Sequence, residues 1–108
     1  MKTFIVTTTN YVTRMIAIKA LKTCLNSVCG NIAAPTSYKN CTDIAATNSL
    51  YRKACMNGGK IVISTLEEMR AWNDAIHVYE PASKVEKNIC RVLKANATRG
   101  LEKRVCCV

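Results

Sequence analysis

Apolar positions recur along this chain in two different periods, and the switches between them mark its elements. Residues 2–9, KTFIVTTT, suit a pleated strand, with Phe4 and Val6 on one face and Ile5 on the other. Lacking Gly and Pro, this strand is expected to be an inner or well-paired one. Asn10 stands where a helix needs its cap. Tyr11, Met15, Ile18, Leu21, Leu25 and Val28 then recur every three or four residues, a helical stripe of about five turns. Lys19, Thr23 and Asn26 fall opposite it, and Gly30 can supply the left-handed stop.

Residues 31–40, NIAAPTSYKN, have loop composition. A second helix is expected over 42–57, capped by Thr42 or Asn48, with Leu50, Tyr51, Ala54 and Cys55 as a narrow apolar strip. Asn57-Gly58-Gly59 ends it. Residues 60–64, KIVIS, are a continuous apolar run of the length of a short buried strand. Ser64 or Thr65, with Glu67 or Glu68, makes a capping box for a third helix with Leu66, Met69 and Trp72 inside. That helix is expected to end near Ala75. Residues 76–80, IHVYE, alternate as a third strand, with Ile76 and Val78 inward and His77 and Tyr79 outward, and Pro81 ends it. Ser83 and Glu86 form a second capping box. It opens a fourth helix over 83–97, which Gly100 is expected to break before the tail LEKRVCCV. The expected fold is therefore α+β: a small three-stranded sheet with helices on one face, in the order β-α-α-β-α-β, plus a C-terminal basic amphipathic helix. A chain of 108 residues makes a single domain, with the α/β body over 1–81 and the helix and tail over 82–108.

Charge changes this picture. Sixteen Lys and Arg face seven acids, a formal net charge of +9. Residues 1–40 hold five basic residues and no acid, residues 41–81 four basic and five acidic, and residues 82–108 seven basic and two acidic. Both ends are basic and the middle is near neutral, so ends that meet would make one surface that attracts polyanions. On a helical wheel, Lys84, Lys87, Arg91 and Lys94 fall within about an 80° arc, opposite Val85, Ile89, Val92 and Leu93. Charges at i, i+3, i+7 and i+10 span about 15 Å along one helix face, a spacing that can follow a phosphate backbone. Lys19, Lys22 and Lys2 could extend that surface. His77 and Tyr79, on one face of the expected third strand, would be placed to stack on bases.

The seven cysteines do not spell a disulfide framework or a zinc site. Their number is odd, no C-x-x-C occurs, His77 is the only histidine, and MKTFIVTTTN has too short an apolar core for a signal peptide. A reducing cytoplasm, free thiols and no metal or other cofactor are expected. No run has the length of a membrane span, and the basic helix lacks the bulky apolar face of a membrane-surface helix. The acids show no metal-nuclease spacing, and Asn57-Gly58-Gly59-Lys60 is too short for a phosphate loop. Catalysis is not expected.

In residues 1–80, the run Arg14-Met15-Ile16-Ala17-Ile18-Lys19-Ala20-Leu21-Lys22, the strand before it and the succession KIVIS, TLEEMRAWNDA, IHVYE resemble the C-terminal domain of the bacterial ribosomal stalk protein. The Clp protease adaptor is similar in fold. The family's Gly-Leu-Gly-Leu-Lys-Glu-Ala-Lys segment is missing, and a longer Cys-rich stretch over 24–49 stands in its place. The resemblance implies a β-α-α-β-α-β binding module and no particular partner. Small basic chains without an enzyme motif also resemble accessory proteins of bacteriophages. The expectation is a non-enzymatic nucleic-acid-binding protein, RNA ahead of DNA, contacting the phosphate backbone. The alternative is a protein-interaction module, phage-encoded in that resemblance, that meets an acidic host protein with the same face. Self-association into a homo-oligomer is a third reading.

Overall fold

The computed structural model describes residues 2–28, 44–56 and 58–106. Along the chain it has strand β1 (Phe4–Thr8), helices α1 (Tyr11–Val28) and α2 (Ile44–Met56), strand β2 (Gly59–Ile63), and helices α3 (Leu66–Val78) and α4 (Lys84–Cys106). The Gly30 stop, the loop over 31–40, the Thr42 cap and Asn57 lie outside the described residues.

β1 and β2 pair antiparallel, with Phe4 opposite Ile63, Val6 opposite Ile61 and Thr8 opposite Gly59. Period-two alternation divides the pair. Val6, Thr8, Ile61 and Ile63 are buried beneath the helices, whereas Ile5 on the other face is 53% exposed. Gly59, at φ 104°, takes the left-handed conformation through which the chain enters β2. Among the described residues these two strands are the whole sheet, so the order is β-α-α-β-α-α and the expected three-stranded sheet is corrected. Among the described residues β1 has a partner on one edge only, so it is not an inner strand there.

The third strand is absent because α3 runs on through Ile76, His77 and Val78. Five alternating residues fit a strand, but Met69, Trp72, Ile76 and Tyr79 also continue one helical stripe at spacings 3, 4 and 3. No Gly or Pro interrupts the helix at Ala75. The first breaker is Pro81, which drives Glu80 toward extended backbone, and Tyr79 is the C-cap at φ −68°, ψ 130°.

The caps agree with the sequence. Asn10 Oδ1 accepts from the Val12 amide at 2.8 Å, Thr65 Oγ1 from the Glu68 amide at 3.1 Å, and Ser83 Oγ from the Glu86 amide at 3.2 Å. α1 is present, but its buried face is not the expected one. Leu21 of the expected stripe is buried, but Tyr11 is 73% exposed, and Thr13, Ile16, Ala17, Ala20 and Cys24 make the rest of the buried face. The small residues Ala17, Ala20 and Cys24 let neighbouring helices approach, and the larger Met15, Ile18 and Leu25 flank that contact half-buried. On α2, Ala46, Thr47, Leu50 and Ala54 are buried, Tyr51 is half-buried and Cys55 is exposed.

α4 also departs from expectation. It continues for 23 residues, through Gly100. Gly costs about 1 kcal/mol in a helix interior, yet here it lets the helix pass the ring of Phe4. A Cβ at this position would lie 2.7 and 2.8 Å from two ring carbons. Arg104, one turn on, fastens the same junction. Its Nε donates to the Lys2 carbonyl at 3.1 Å, its second guanidinium nitrogen to the Thr3 carbonyl at 3.0 Å, and its Cζ lies 5.1 Å from the Phe4 ring centroid.

A polar joint holds the other side of the fold. Glu68 is only 6% exposed. One carboxylate oxygen accepts from the Ser64 amide (3.2 Å) and the Thr65 hydroxyl (3.4 Å); the other accepts from the Ser49 hydroxyl (3.2 Å) and the Lys53 ammonium (2.9 Å). Lys53 also donates to the Val62 carbonyl at 2.8 Å, so α2, β2 and α3 meet at one ion pair. Burial alone would raise the Glu68 pKa. The Lys53 hydrogen bond, the Ser64 amide, the Lys53 charge and Ser49 together outweigh burial and hold it below the ordinary carboxylate value. Among the described residues no helix is long and apolar enough to cross a membrane.

Candidate functional site

α4 lies against α3 along a seam in which Cys90, Ala97 and Gly100 are buried and Ile89, Leu93 and Leu101 are half-buried. At 100° per residue this seam leaves two flanks free. One carries Lys84, Lys87 and Arg91, all exposed, and Lys94, half-buried. The other carries Val85, Asn88, Val92, Asn96, Arg99 and Lys103.

The first flank is the stripe expected from the sequence, and its charges are unspent. The ion pair among the described residues is Lys53–Glu68; the stripe has none. Among the described residues the ammonium groups of Lys84, Lys87 and Lys94 and the Arg91 guanidinium also make no hydrogen bond. The Cys90 thiol lies within the electrostatic reach of Lys94. Burial pushes it up against the pull of Lys94, so it stays a protonated core thiol. Cys24 is likewise buried and forms no disulfide, while Cys55 is exposed.

The structure does not gather all the expected cations. Lys19 and Lys22 are exposed on α1 and share no hydrogen bond with the stripe among the described residues. Lys2 lies elsewhere, beside Arg99, Lys103 and Arg104.

His77 and Tyr79 are not a stacking platform, because the strand that would present them is helix and helix cap. His77 Nδ1 donates to the Asn73 carbonyl at 2.8 Å, and its Nε2 lies 3.1 Å from the Thr98 hydroxyl on α4. Thr98 donates in turn to the Lys94 carbonyl at 3.0 Å. Tyr79 donates its phenol hydrogen to the Glu86 carboxylate, and burial followed by that carboxylate holds the phenol far above its ordinary pKa. Both side chains join α3 to α4, and that joint keeps the basic flank outward.

The second flank of α4 and β1 enclose an open groove. Its larger part, about 1130 Å³, is lined by Lys2, Phe4, Ile5, Leu66, Gly100 and Lys103 among others; Arg99 and Arg104 complete a cationic rim. A further 500 Å³ runs on between Ile5, Val6 and Thr7 of β1 and Asn88, Val92 and Asn96 of α4, floored by Trp72. Sequence reasoning missed this groove. Arg99, Lys103 and Arg104 look like a tail once Gly100 is taken as a helix stop. The continuing stripe Leu93, Ala97, Gly100, Arg104 was the available signal that the helix runs on.

No family model matches the chain, and no curated protein and no solved structure matches it either.

Proposed function

We propose that this protein is a non-enzymatic nucleic-acid-binding protein that grips the phosphate backbone with the outer flank of α4, through Lys84, Lys87, Arg91 and Lys94. The observation that carries this reading is that these four cations share one flank and none is neutralised within the described residues. They rise about 15 Å along the helix, which matches about four phosphates at about 3.4 Å of axis per strand. With His77 and Tyr79 engaged inside the α3–α4 joint, the reading includes no base stacking. Binding is by charge and indifferent to base sequence. RNA is the substrate we test first, in a cytoplasmic setting. The buried thiols of Cys24 and Cys90, used as small core residues, support that compartment.

Fluorescence anisotropy with a labelled single-stranded RNA, titrated at several salt concentrations, tests the reading. Four released counterions predict a log–log slope of about −2.8 for single strands and about −3.6 for B-form duplex. Replacing Lys84, Lys87, Arg91 and Lys94 together with Glu is expected to abolish binding. A salt-independent affinity, or undiminished binding by that variant, overturns the proposal.

A further inference from the structure

We propose that the groove between the free edge of β1 and the inner flank of α4 is a docking site for an extended acidic peptide of a partner protein, taken up by strand addition. Three features of the groove select that occupant.

The first is its wall. Phe4, Ile5, Val6 and Thr7 line it in succession. Side chains of both parities belong to both faces of a strand, so the surface they share is the strand edge. Among the described residues no hydrogen bond outside the β1–β2 ladder reaches the backbone of Phe4–Thr8. An uncovered edge is a template for another strand. Arg104 caps the Lys2 and Thr3 carbonyls, which ends the template there.

The second is its floor and outer lip. Trp72, Ile89 and Leu93 make an apolar floor, and the lip adds Ile5 at 53% and Val92 at 56% exposure. An added strand places alternate side chains on such a floor.

The third is charge. Lys2, Arg99, Lys103 and Arg104 rim one end, and among the described residues no acid lines the groove. A second copy of this chain is a poor occupant, since each copy carries +9. A nucleic acid gains nothing from a strand edge, and Trp72, only 1% exposed, offers its bases no open ring face. A peptide of alternating apolar residues ending in carboxylates uses all three features.

The probe is a synthetic peptide of alternating valine and threonine followed by three aspartates. Its companions are the same peptide with three lysines, and one with proline replacing a central threonine, which removes an edge donor. Binding is read from the fluorescence of Trp72, the chain's single tryptophan, and from amide shifts in a ¹⁵N correlation spectrum. The acidic peptide is expected to bind and to move the amides of Phe4–Thr8, with the lysine and proline peptides at least about tenfold weaker. The double variant R99E/K103E alters two exposed side chains, and is expected to weaken the acidic peptide by about tenfold. Replacing Lys84, Lys87, Arg91 and Lys94 with Glu is expected to leave it bound, which separates this site from the nucleic-acid flank. The proposal is overturned by no binding at millimolar peptide, by equal binding of the proline peptide, or by shifts confined to the basic stripe. It is also overturned if an oligonucleotide, or dimerisation seen on sizing chromatography, moves the Phe4–Thr8 amides instead.

Discussion

Lys53 and Lys87 carry the same ammonium group in two regions of the molecule. Lys53 reaches inward and is engaged twice, 2.9 Å from the Glu68 carboxylate and 2.8 Å from the Val62 carbonyl. Lys87 stands on the outer flank of α4 with no internal partner among the described residues. A charge that holds three elements together is unavailable to a ligand, and a charge that holds nothing together is free to meet one. Net charge alone does not distinguish them; the partner does. The two regions should therefore fail in different ways.

The largest effect is expected at the inner region. Lys53→Met leaves the Glu68 carboxylate almost buried and without its cation, and should lower unfolding free energy by about 3 kcal/mol, at the low end for a broken buried pair because Lys53 is partly exposed. Denaturant unfolding measures it, and a loss under about 1 kcal/mol would show that the joint is not what fixes α2 to α3.

Next in size is the apolar junction at the far end of α4. Gly100→Val places its branch into the Phe4 ring and Met69, and overpacking of this kind costs about 1–3 kcal/mol. An unchanged or raised thermal midpoint would mean that Phe4 swings freely into the groove.

Glu68→Gln is expected to cost about 1–2 kcal/mol near neutral pH, with a sharper signature in acid. The carboxyl pKa is depressed in the folded chain, so its stabilisation is complete above about pH 4.3 and is lost as pH falls through the folded value. The variant should show a flatter acid limb in a pH series of unfolding curves. Parallel limbs would locate the acid sensitivity elsewhere.

The smallest change in stability belongs to the outer flank. Each of Lys84, Lys87 and Arg91→Glu should shift unfolding by no more than about 0.5 kcal/mol, while together with Lys94→Glu they abolish the salt-dependent binding proposed above. Marked destabilisation by these exposed substitutions would mean that the flank is structural, and would erase the contrast with Lys53.

Of the expected order β-α-α-β-α-β the first five elements are present, and the stretch expected as the sixth, over 76–80, is instead the end of α3 and its cap. Alternation across Ile76, His77, Val78 and Tyr79 is too short to separate a strand from the end of a helix. On α1 the period was legible but its phase was not. Large apolar residues suggested Tyr11, Met15 and Ile18 as the inner face, whereas close packing selected the small-residue side. Of the candidate site, the stripe on α4 could be read directly because its members lie three and four residues apart. The companionship of Lys2 with Arg99 and Lys103 could not.

The sequence by itself determined β1 and β2, the caps at Asn10, Thr65 and Ser83, and the charged flank of α4. Each depends on residues within a few positions of one another, where hydrogen bonding and periodicity are set locally. Local stripes allowed α3 to pass Ala75 and α4 to pass Gly100, but tertiary structure alone decided that Gly100 packs against Phe4 and that a groove opens beside β1. Those outcomes rest on partners far apart in the chain, Phe4 against Gly100 and Lys2 against Arg104, and no local pattern carries the distance between them.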